Sequence, residues 1–131
     1  SAPHGYKKTI REETDVRRRE AAATEGWRNA SVLALLPFYK TLTPGQPVAV
    51  VPHNRRSTEE STAADFLREE LRANDYLITI EAGAPQKIFV RTDKTDDPNV
   101  RTLTIWAERD DKEVARHSVP AKISYDQVED Q

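Results

Sequence analysis

Val48-Ala49-Val50-Val51-Pro52 leads through His53-Asn54-Arg55-Arg56 into Ser57-Thr58-Glu59-Glu60 and on to Leu71. A continuous apolar run, a polar loop and a capped amphipathic stretch thus follow one another without a gap. Four apolar residues between two prolines suit a short strand covered on both faces. Ser57 and Glu60 have capping-box spacing, in which hydroxyl and carboxylate reciprocally satisfy the free backbone donors of a helix start. Beyond them Ala63, Ala64, Phe66, Leu67 and Leu71 share one helical face, while Arg68, Glu69 and Arg72 fall largely on the other. The helix should stop near Asn74, a residue that tolerates the left-handed cap geometry.

Downstream, Tyr76–Glu81, Lys87–Thr92, Arg101–Glu108 and Lys112–Val119 are each rich in β-branched or aromatic residues and read as three or four strands. Gly83-Ala84-Pro85 and Asp96-Asp97-Pro98-Asn99 separate them, and Arg109-Asp110-Asp111-Lys112 reads as a polar hairpin tip. Upstream, Thr43-Pro44-Gly45-Gln46-Pro47 is a turn. Before it, Trp27, Val32, Leu33, Leu35, Leu36, Phe38 and Tyr39 form the densest apolar patch, expected as a short helix ending near Pro37.

Residues 1–28 differ in kind. Seven basic residues (Lys7, Lys8, Arg11, Arg17, Arg18, Arg19, Arg28) alternate with five acidic ones, and only Ile10 and Val16 are strong aliphatics before Trp27. That is too little for a stripe able to dock on a core, although Ala21–Ala23 favour helix locally. The expectation is a helical or disordered arm, helical over Glu12–Thr24 and ended near Gly26. The fold class is therefore α+β, with one main amphipathic helix and a shorter helix on a four- or five-stranded, mostly antiparallel sheet. Its parts are a charged arm at 1–28, a single domain at 29–122 and a flexible acidic tail at 123–131.

With 131 residues there is room for one ordinary core. A net charge of −2 exerts no global pull on nucleic acid or an anionic membrane, so neither is expected as a partner. The absence of cysteine excludes disulfides, thiolate metal sites and a cysteine nucleophile. Without methionine even at position 1, the chain reads either as a processed mature form or as one trimmed to a cleavage scar around Ser1–Gly5. The longest apolar stretch, Val32–Tyr39, is broken by Pro37 and falls far short of the roughly 20 residues of a membrane span.

No catalytic, metal or cofactor pattern stands out. His4, His53 and His117 are scattered without ligand spacing. Asp93, Asp96 and Asp97 lack the glycine and terminal glutamate of a calcium loop, and no serine sits in a nucleophile elbow. Asn29-Ala30-Ser31 matches the glycosylation acceptor pattern, a three-residue coincidence beside an apolar patch.

Two functions from different classes remain. In the first, the chain is a non-enzymatic protein-interaction or assembly module, docking on a larger protein or on a second copy. Arg17, Arg18 and Arg19 of the arm and Trp27, Leu33, Leu36, Phe38 and Tyr39 of the patch make the contact. In the second, His53, Arg55, Arg56 and Ser57, where a strand hands over to a helix N-terminus, bind a small ligand or anion. Neither needs a cofactor. Strand, capped helix and antiparallel strands, chiefly over Val48–Ile80, resemble accessory domains of bacterial envelope lipoproteins. The resemblance is one of architecture, without a diagnostic residue, and it implies an interaction domain of an envelope protein.

Overall fold

The structure is a computed structural model that describes residues 14, 17 and 23–123. The expected tail from residue 124 onward, and the expected arm apart from Thr14, Arg17 and residues 23–28, lie outside the described residues. A first helix, α1, covers residues 23–35 and tightens into a 3-10 segment, Leu36–Lys40. Strand β1 (Val48–Pro52), helix α2 (Thr58–Ala73), β2 (Gln86–Lys94), β3 (Val100–Arg109) and β4 (Lys112–Lys122) follow. The four strands lie in the order β1-β2-β3-β4, with β1 parallel to β2 and the other pairs antiparallel. The α+β class, with two helices on a mixed four-stranded sheet, is thus as expected.

Both helices pack on one face of the sheet. Ala30, Ala34, Leu35 and Phe38 from the first helical segment and Ala63, Ala64, Leu67 and Leu71 from α2 share a core with Val48, Val50, Ile88, Val90, Leu103 and Ile105. Residues of β3 alternate accordingly: Leu103, Ile105 and Ala107 point into this core, and Thr104 and Trp106 point to the opposite face. The turn after the 3-10 segment is pinned by Gln86, whose side chain accepts from Thr43 N at 2.7 Å and donates to Thr43 O at 3.0 Å.

Gly26 does not end a helix. Helix α1 runs through it, and at this point crosses the end of β4 so closely that only hydrogen fits. A Cβ on Gly26 would lie 2.7 Å from the Lys122 carbonyl carbon and nearer still to its oxygen. Trp27, one residue on, is accordingly a core residue. Pro37 does not stop the chain's helical course either. It occupies the first turn of the 3-10 segment, where its missing N–H has no helical bond to make.

The expected strand Tyr76–Glu81 shrinks to a single parallel bridge, Val48↔Ile78. The Val48 N–H donates to Leu77 O and Thr79 N–H donates to Val48 O, after which Glu81 N–H turns to the Thr79 hydroxyl and the segment leaves the sheet. At the end of α2 the left-handed position falls on Asp75 (φ 67°) rather than Asn74 (φ −103°). The Asn74 amide instead donates to Glu70 O and to the Tyr39 hydroxyl. Asp110 and Asp111, both at positive φ, make the expected hairpin tip.

Gly26→Ala separates this packed helix from the frayed arm expected of the sequence. On an unpacked helix, alanine would gain up to about 1 kcal/mol over glycine. Against the Lys122 carbonyl it should cost about 1–3 kcal/mol, whereas Gly83→Ala, with nothing within 4 Å, should be near neutral. Urea unfolding of the two variants reads the difference.

Candidate partner-binding surface

Packing divides the apolar stretch Trp27–Tyr39. Trp27 and Phe38 are 4% and 0% exposed and belong to the domain core, so they are not part of a surface patch. Leu33 and Leu36 point the other way and remain 50% and 57% exposed. Tyr39 is half-buried, its ring 5.7 Å from that of Tyr76 and its hydroxyl accepting from Asn74 Nδ2 at 3.0 Å. Arg17 is helical and exposed, and Arg18 and Arg19 lie outside the described residues.

Leu33, Leu36 and Pro37 face His117, Val119 and Pro120 of β4 across an open groove of about 550 Å³, lined also by Lys40 and Arg116. A contact between His117 Nδ1 and Ala34 O at 3.2 Å ties the helix to the strand beneath it. Arg116 is held by Glu113 at 2.6 Å and lies 4.7 Å over the Trp106 ring. The hydrogen bond from Arg116 keeps the Glu113 carboxyl below its ordinary range. The groove is thus apolar along its walls, with the Lys40 cation beside it and Arg116 at its rim, its guanidinium turned to Trp106.

The loop of the ligand-binding alternative is held by the chain's own hydrogen bonds. Ser57 caps α2 by accepting from Glu60 N at 3.1 Å, half of the expected capping box. Glu60 does not return the bond to Ser57. Its buried carboxylate accepts from Asn54 N at 2.6 Å and from Thr92 N at 3.3 Å, pinning the loop to the end of β2. Arg56 N donates to the Asn54 side chain and Ser57 N to the Asn54 carbonyl. Four of the loop's backbone donors are therefore satisfied by the chain itself, counting His53 N, which donates to Val90 O. The ring of His53 lies 5.8 Å from Trp106, edge-on, while Arg55 and Arg56 are exposed and Arg55 lines a separate groove beside Val50 and Arg68.

On the sheet face away from the helices, Phe89 stacks on Trp106 at 5.5 Å and Arg116 lies over the same indole. Thr104 and Ser118 share a hydroxyl hydrogen bond of 2.8 Å beside them. This row across β2, β3 and β4 escaped sequence reading because alternation places Trp106 on that face without saying which residues sit opposite. The register Phe89↔Trp106↔Arg116 supplies the answer. Among the described residues no cluster of three potential metal ligands exists, and no helix is long and apolar enough to cross a membrane.

No protein-family model matches the chain, and no curated protein matches it in sequence. Solved structures do. The C-terminal domain of LpoB from Salmonella enterica superposes with a TM-score of 0.57 at 11% identity, covering 73% of this chain and 98% of that domain. The C-terminal domain of LpoB from Escherichia coli gives 0.53 at 12% identity with the same coverage. At such identity the likeness is one of fold.

Glu60→Ala should cost about 1–3 kcal/mol in urea unfolding, since it strips the acceptor from Asn54 N and Thr92 N. Glu60→Gln, which keeps an acceptor oxygen, should cost less. Burial first, then the Glu70 carboxylate and Tyr76, push the Tyr39 phenol from 10.0 up to about 12. A raised folded value favours the protonated form, so this contribution to stability is whole below pH 10 and fades as pH climbs toward 12. The phenolate absorbance of one tyrosine should therefore appear late in an alkaline titration, and Tyr39→Phe should flatten the stability loss over that window.

Proposed function

We propose that the chain is a non-enzymatic protein-interaction module that docks on a larger partner protein through Leu33, Leu36 and the groove they wall. The observation that carries this reading is the two half-exposed leucines, one helical turn apart, facing an open apolar groove. Leu35, on the core side of the same helical segment, is by contrast wholly buried. Leaving two large side chains half in water costs solvation free energy that a partner would recover, at about 1 kcal/mol for each half-exposed leucine brought to full burial.

The charged block before residue 29, with Arg17, Arg18 and Arg19, extends the contact in this reading, and Lys40 sets the polarity of the groove. The envelope-lipoprotein likeness of the sequence, together with the bacterial origin of the two domains of the same fold, supports a place in the bacterial envelope. At the ligand-binding alternative, His53–Ser57, Glu60 already takes the Asn54 N–H, one of the donors an anion would use, which favours the docking reading.

A photo-crosslinking amino acid placed at position 33 or 36 in the source cells should trap one discrete protein, and the same probe at exposed Lys94 should not. That protein, once purified, should bind the wild-type chain and lose at least tenfold in affinity with Leu33→Asp/Leu36→Asp, at unchanged melting temperature. Equal trapping at all three positions, or unchanged affinity of the double variant, would refute the docking surface.

A further inference from the structure

We infer that the partner contributes an extended, acidic segment that pairs with the outer edge of β4 as a fifth strand, its alternate side chains entering the groove at Leu33 and Leu36. This rests on the docking surface proposed above and specifies its chemistry. Among the described residues β4 pairs with β3 alone, so one of its edges is open.

Pro120 shows which backbone groups that edge presents. It sits opposite Thr102 and has no N–H, so the Thr102–Pro120 pair is of the non-hydrogen-bonded kind. Alternation gives the same geometry to Thr104↔Ser118 and Trp106↔Arg116. The short Thr104–Ser118 hydroxyl contact fits a close, non-hydrogen-bonded pair. The N–H and C=O groups of Arg116 and Ser118 therefore point away from β3, toward the open edge, and Pro120 adds a carbonyl there. Both Arg116 and Ser118 are exposed. Arg116 to Pro120 spans about 17 Å of strand, enough for a segment of roughly five residues.

The walls select the occupant. In a strand added here, every second side chain faces the helix side of the sheet, where Leu33, Leu36, Pro37 and Val119 form an apolar bed. Charge then discriminates. Strand β4 carries Lys112, Arg116 and Lys122 against a single Glu113, and Lys40 stands beside the groove. A second copy of β4 would bring cation against cation and a second proline without its donor, so self-pairing is disfavoured. An acidic, apolar-alternating segment of another protein meets both demands, main-chain bonds giving affinity and the groove giving selectivity.

The test uses the full chain and blocked nine-residue peptides of alternating glutamate and valine. Bound peptide should slow amide exchange at Arg116 and Ser118 at least tenfold. Of two versions N-methylated along one edge or the other, one should fail to bind, and lysine in place of glutamate should weaken binding at least tenfold. Ser118→Pro removes an outward N–H without touching the β3 ladder and should abolish binding, while Ser118→Ala should retain it. No binding of the parent peptide, or undiminished binding of both N-methylated versions, overturns strand addition. If such binding is still lost with Leu33→Asp/Leu36→Asp, groove docking stands and only the strand pairing is wrong. If that double variant binds the parent peptide as the wild type does, the groove itself is not the docking surface.

Discussion

The carbonyl of Lys122 occupies the space a side chain at position 26 would fill, and the placement of α1 follows from that contact. With hydrogen alone at Gly26, the helix can lie directly on the end of β4, Trp27 can enter the core and Ala34 can reach His117. The axis and rotation of the helix are then set. Leu35 and Phe38 turn inward, and Leu33 and Leu36 are left beside the strand edge. A side chain at 26 would force the helix or the end of β4 to shift, so a buried steric constraint bears on how the groove wall is set.

At the other end of the sheet Glu60 serves a comparable purpose by polar means. A carboxylate from the first turn of α2 takes two backbone donors, one from the loop after β1 and one from β2, just where the parallel β1–β2 pairing runs out. The crossover from β1 through α2 to β2 is thereby closed by the chain's own anion. The same arrangement takes up the Asn54 N–H in a loop that carries two arginines at a helix start, a composition that by itself invites a phosphate.

The sheet face turned away from the helices is ordered by stacking. Phe89, Trp106 and Arg116 lie in one row, and Glu113 fixes the guanidinium at its end. Because Arg116 is anchored on the indole, the backbone at β4's open edge is held in regular strand geometry near the groove. Edge, groove and ladder thus form one connected region at the β4 side of the domain.

Local sequence determined much of this architecture. The apolar run Val48–Val51, the Ser57 cap and the alternation around Trp106 depend on neighbours a few residues apart, and each element formed where its residues placed it. What depends on distant residues was not legible. Gly26 reads as a helix stop until Lys122 is known to lie against it. Glu60 reads as half of a capping box until Thr92 is within its reach. The patch Trp27–Tyr39 reads as one surface until the core claims Trp27 and Phe38 and leaves Leu33 and Leu36 outside. In each case propensity and spacing describe what a segment can do alone, whereas long-range packing and desolvation select among those options.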